Sequence, residues 1–109
     1  MEAYNSLDEK AFRMLLQLPI VTWGGDKNAL TANMFSALAY FVKLHGDEVT
    51  VVEFSKRMFK CNPIELERTG LWNKGVESNR TSIAREIHKC YNKGYRKNLL
   101  PNRFYSVTD

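Results

Sequence analysis

The stretch Ser78–Asn92, SNRTSIAREIHKCYN, decides how this chain is read. Ser78 is a residue type that caps helix N-termini, and the run after it repeats at helical spacing. At about 100° per residue, Ile83, Ile87 and Cys90 fall on one side, with Tyr91 at its edge. Thr81, Arg85, His88, Lys89 and Asn92 fall on the opposite side, and Glu86 is displaced to a flank. A solvated helix ordinarily mixes both signs to form i,i+4 pairs. A face with no carboxylate suits an anion instead: Arg can read guanine, Asn can read adenine, and Thr and Lys can hold phosphate. The first turn, Ser78–Asn79–Arg80–Thr81–Ser82, adds amides and hydroxyls at the positive end of the helix dipole. The pattern predicts a helix over 79–92, stopped by Gly94, with a core face and a DNA-contacting face.

Reading outward from this helix gives the rest of the architecture. Downstream, Tyr95–Arg96–Lys97, a turn at Asn98–Asn102 and Arg103–Val107 read as a short basic β-hairpin. Upstream, Thr50 and Glu53 form a capping box that opens a short helix through about Phe59. Its core face is Val51, Phe54, Ser55 and Met58, with Lys56, Arg57 and Lys60 directed elsewhere. Leu30, Met34, Leu38, Phe41, Val42 and His45 share one face of a longer helix ending at Gly46, which reads as the central core helix. Leu7, Ala11, Met14, Leu15 and Leu18 mark a first helix, capped by Ser6 and ended by Pro19. Ile20–Trp23 reads as extended, and Gly24–Gly25–Asp26 as a turn. Between Lys60 and Glu77, Asn62–Pro63 opens a short turn or helix that Thr69–Gly70 ends, and Trp72–Gly75 reads as loop. The expected fold is mainly α with a small C-terminal β-hairpin. It forms one domain over 1–109, with an N-terminal helix and extension (1–28) on a core (29–109).

Composition and charge narrow the function. With 109 residues, 44% hydrophobic and 26% charged, the chain has the balance of a single globular domain. Residues 1–55 carry four Lys or Arg against seven Asp or Glu, whereas residues 56–109 carry twelve against five. So lopsided a distribution sets up a directed field whose positive end suits a polyanion. The opening MEAYNSLDEK is acidic and lacks an apolar core of the secretory type. The apolar-rich stretch Ala29–Leu44 is broken by Thr31, Asn33, Ser36 and Lys43, too polar for a bilayer. A cytoplasmic protein is expected.

Cys61 and Cys90 read as two reduced, partly buried thiols. With His45 and His88 they lack the short spacings of a zinc site. No phosphate-cradling Gly loop and no nucleophile–base arrangement stands out. Neither an enzyme, a metal nor a cofactor is expected.

A core helix, the Thr-capped TVVEFSKRM (50–58), the basic NRTSIAREIHKCY (79–91) and the tail KGYRKNLLPNRFYSVTD (93–109) together resemble a winged helix-turn-helix domain over about 30–109. In such domains the third helix enters the major groove and the hairpin wing follows the backbone or minor groove. The resemblance implies double-stranded DNA as partner. Arg80, Thr81, Arg85, Lys89 and Asn92 would contact bases or phosphates, Arg96, Lys97, Asn102 and Arg103 would serve the wing, and Lys56 would clamp the backbone. The front half is similar to N-terminal domains of plasmid and phage replication initiators, and the whole to winged-helix centromere-binding partition proteins. Replication, partition or transcription control is the implied setting, with a homodimer formed through the N-terminal helix.

A competing reading is a protein-binding module or inhibitor for an acidic partner, with Trp23, Phe59 and Trp72 as candidate anchors. A third is RNA binding, since Tyr91, Tyr95, Phe104 and Tyr105 interleave with Arg and Lys.

Overall fold

The structure, a computed structural model, describes residues 7–104. They form α1 (Glu9–Trp23), a 3-10 turn (Lys27–Ala29), α2 (Ala32–His45), α3 (Val51–Met58), α4 (Pro63–Trp72) and α5 (Asn79–Asn92). Each helix starts where a short polar side chain can take an orphan amide. Asp8 accepts from Ala11 at 2.7 Å, Thr31 from Met34 at 3.1 Å and Thr50 from Glu53 at 3.1 Å. Asn62 accepts from Ile64 at 2.8 Å, with Pro63 behind it at the first helical position, and Ser78 accepts from Thr81 at 3.3 Å. The caps at Thr50 and Ser78 fall where the sequence puts them. Asp8 caps α1; the expected cap, Ser6, lies outside the described residues.

α5 occupies the centre. It packs most extensively on α2, then on α4, and residues 99–104 cross its third side. Thr81, Ser82, Ile83, Ala84, Ile87 and Tyr91 are all buried, and within α5 only Asn79 and Lys89 stand fully exposed. Beside this unit, α1 lies on α3 and α2, burying Leu15 and Leu18 completely. Trp23 Nε1 donates to the Cys61 carbonyl at 2.8 Å, and Ser55 Oγ to the Val21 carbonyl at 3.3 Å. Rings meet at the junction: Phe41 and Phe54 have centroids 5.5 Å apart, and Phe54 takes Trp23 edge-on at 6.1 Å. No helix among the described residues is long and apolar enough to cross a membrane.

Four expectations are corrected. The first is the C-terminal hairpin: no strand occurs among the described residues, and 95–104 run as an irregular strap, while 105–107 lie outside them. The backbone groups that a hairpin would pair are taken by side chains. Leu100 N–H donates to Asn92 Oδ1 at 2.9 Å, Leu100 C=O accepts from Asn92 Nδ2 at 3.0 Å, and Phe104 N–H donates to Asn102 Oδ1 at 2.8 Å. Pro101 has no amide to offer. The fold is therefore all-helical over the described residues, without a wing.

Second, Ile20–Trp23 is not extended; α1 continues through Pro19 to Trp23 and ends at Gly24, whose φ of 62° makes a left-handed cap. Proline removes one helical bond, and here Pro19 and Thr22 are buried and Trp23 is tied to Cys61, which offsets that loss. Third, Arg57, expected to point away from the core, is 7% exposed. Fourth, Thr69–Gly70 does not end the helix at Pro63; α4 runs on to Trp72.

Gly70 is a close-approach residue. A Cβ there would lie 2.7 Å from Ile83 Cα, and the Gly70 carbonyl accepts the Ser82 hydroxyl. A glycine inside a helix is ordinarily worse than alanine by about 1 kcal/mol. Gly70→Ala reverses that preference, because its methyl meets backbone that cannot turn aside. We expect the substitution to destabilise by about 1–3 kcal/mol in chemical denaturation. A stabilised variant would show that α4 and α5 do not touch at this point.

Candidate nucleic-acid interface

The sequence-predicted contacts divide into two groups. Six are used inside the protein. Thr81 is 1% exposed, and the Ser78 hydroxyl donates to its Oγ1 at 2.9 Å. The Arg85 guanidinium forms an ion pair with Glu77, donates to the Phe104 carbonyl at 3.3 Å and lies 4.7 Å above the Phe104 ring. Asn92 clamps Leu100 by the reciprocal pair described above. Arg80 lies 4.7 Å over Tyr40, and Arg103 pairs with Glu48. Asn102, read as part of the wing, holds the Phe104 amide. The α5 face expected to read bases is thus the face on which the strap lies.

The second group remains outside. Lys56, Arg96 and Lys97 are exposed, and Lys89, with its side chain 67% exposed, stands 3.5 Å from Glu86. Two exposed residues outside the sequence-predicted contacts, Lys60 and Lys93, belong with them. Among the described residues none of Lys56, Lys60, Lys93, Arg96 and Lys97 forms an ion pair.

Arg57 brings these cations together. Its Nε donates to Glu53 at 2.8 Å, Nη1 to the Tyr91 carbonyl at 3.1 Å, and Nη2 to the Lys97 and Asn98 carbonyls at 3.1 and 3.3 Å. The guanidinium sits between the Tyr91 and Tyr95 rings, 4.3 and 4.1 Å from their centroids. This fork pins the 95–98 turn, with Arg96 and Lys97, to α3, which carries Lys56 and is followed by Lys60. Lys93 joins them beside Cys61. Arg57 holds the Glu53 carboxyl below the usual carboxylate range. Sequence signals for this hub existed in the Glu53–Arg57 spacing of four and in the tyrosines four apart, but nothing in the sequence links α3 to α5.

The Cys90 thiol donates to Glu86 Oε2 at 3.8 Å, and burial pushes it up to about 12. Burial raises Cys61 as well. Protonated thiols of this kind are poor nucleophiles and poor metal ligands. No group of three His, Cys, Asp or Glu poised to hold a metal occurs among the described residues.

The arrangement is a basic end built on a buried arginine, not an enclosed pocket of titrating groups. Residues 1–104 match the model of a family of unknown function, DUF6551, and the chain belongs to that family. No characterised protein and no solved structure gives a significant match.

Arg57→Met should leave the carbonyls of Tyr91, Lys97 and Asn98 without their donor and destabilise by about 3 kcal/mol. Arg57→Lys should recover less than half of that loss, because an ammonium cannot fork to three carbonyls between two rings. Urea midpoints of the two variants check this, and equal midpoints for Lys and Arg would refute the fork.

Proposed function

We propose that this protein binds nucleic acid, with duplex DNA as the partner, by holding the phosphate backbone on its basic end. The observation that carries the reading is the unpaired cluster Lys56, Lys60, Lys93, Arg96 and Lys97, held together by Arg57. Cations without carboxylate partners leave their charge available to phosphates, and the excess of basic residues in 56–109 directs the field the same way. The side chains best suited to base edges, Arg85 and Asn92, are bonded within the protein. Contacts made by the basic end alone position a duplex without reading its sequence.

Affinity for a random-sequence duplex should fall steeply with salt, each phosphate contact contributing about 0.9 to the slope of log K against log salt. Replacing Lys56, Lys60, Arg96 and Lys97 by glutamine should lower that slope by about 3–4. Unchanged duplex affinity in the quadruple variant, or no affinity at low salt in the native chain, would overturn the reading.

A second reading, a protein-binding module for an acidic partner, draws on Trp72, which is 87% exposed at the end of α4 beside Val76, 98% exposed. Large aromatics left in water are typical binding anchors. In that case Trp72→Ala removes partner capture and leaves the salt-dependent duplex affinity intact.

A further inference from the structure

His45 is fully buried at the end of α2, and among the described residues neither ring nitrogen has a hydrogen-bond partner. Its ring stacks on His88 of α5, with centroids 5.2 Å apart and planes within 16°. Phe41 closes one edge at 5.1 Å and Phe104 another at 5.9 Å. His88 Nε2 in turn donates to the Leu100 carbonyl at 3.0 Å, and its ring also meets Phe104, 5.6 Å away. Two imidazoles thus form the seat on which the strap rests.

Among the described residues, the guanidinium groups beside this seat are committed to carboxylates. From the strap, Arg103 faces His45 and is paired with Glu48, which follows α2. From α5, Arg85 is paired with Glu77 and covers the far side of Phe104. Among the described residues, the two carboxylates named here, Glu48 and Glu77, already serve guanidinium groups, so neither is free to receive an imidazolium. A proton on His45 would be a buried charge stacked on a second imidazole and near Arg103, with no acceptor for its N–H groups.

We propose that residues 99–104 are an acid-released strap: protonation of the buried His45, whose ring is stacked on His88, unseats Leu100 and Phe104 while the five helices stay folded. The strap is the element that yields, because α2 and α5 are fixed by their own packing, whereas the strap is held by Asn92, His88, Arg85, the Arg103–Glu48 pair and two apolar side chains. Its departure uncovers the Arg85–His88–Asn92 face of α5. The proposal does not depend on nucleic-acid binding.

The sign follows from the proton balance. Burial first, then His88 and Arg103, lower His45 from 6.5 to about 4. The open form takes up a proton near 6.5, and the closed form resists until about 4. Opening is therefore favoured progressively as pH falls through that window, by up to about 300-fold, and is insensitive to pH above it.

Amide hydrogen exchange by NMR at several pH values between 7.5 and 4.5, corrected for intrinsic rates, tests the strap directly. Protection of the Leu100 amide should drop by about 40-fold from pH 6.5 to 4.5, the part of the window above His45's closed-state value. NOEs from Phe104 to Tyr40 should fade with it, while Phe41 and Ile83 keep their protection. His45→Phe should abolish the pH dependence. In the native chain the slope of log protection at Leu100 against pH should approach one between pH 6 and 4.5, the uptake of one proton per opening, a check that needs no variant. Flat Leu100 protection across the range, or loss of protection at Phe41 and Ile83 in parallel with Leu100, would overturn the proposal.

Discussion

α5 can lie at the centre of this molecule because α4 approaches it closely enough for a glycine to touch its backbone. With Gly70 against Ile83 and the Gly70 carbonyl taking the Ser82 hydroxyl, α4 covers a side of α5 that begins with small and hydroxylated residues. Glu67 on α4 accepts from Thr31 at 2.7 Å and from Asn33 at 3.3 Å, tying the same helix to the start of α2. The result is a three-helix unit, α2, α4 and α5, on which α1 and α3 are laid. A side chain at position 70 would separate α4 from α5 by the width of a methyl group, a large displacement for an interior packed at crystal density.

Enclosing α5 has consequences for charge. Polar side chains that reach outward from an exposed helix must here find partners among neighbouring segments or pay for desolvation. Arg85, Asn92 and His88 find them in the strap's carbonyls and the Phe104 ring, and Arg57 finds them in the turn after α5. These cations and amides organise the irregular C-terminal segment, which has few backbone bonds of its own. The basic residues left over, on the end of α3 and in the turn at 93–97, are consequently concentrated at one end of the protein.

Much of the helical content was legible in the residues themselves. The caps at Thr50 and Ser78, the apolar face Met34–His45 and the stop at Gly94, with φ of 83°, rest on local bonding and local backbone freedom. Other signals misled for physical reasons. Pro19 and Gly70 are helix breakers by local preference, yet tertiary burial carried α1 through the first and a close helix contact required the second. The strap has the alternation of a hairpin, but its hydrogen bonds go to Asn92 and His88. Of the candidate site, Lys56, Lys89, Arg96 and Lys97 are on the surface as read, while Lys60 and Lys93 were not among the expected contacts because the cations they join are distant in sequence.

By itself the sequence determined where most helices begin, which faces are apolar, and that positive charge gathers in residues 56–109. These depend on spacing and residue chemistry within one or two turns, which any reader of the chain can follow. Only the tertiary structure decided which polar residues are available. Thr81, Arg85 and Asn92 share a helix face with Lys89, and a helical projection cannot separate them. What separates them is packing: the strap, which comes from residues 99–104, lies across Arg85 and Asn92, Thr81 is buried beside Ser78, and Lys89 is left in water, since contacts between distant segments are fixed by packing and closure of the chain rather than by local pattern.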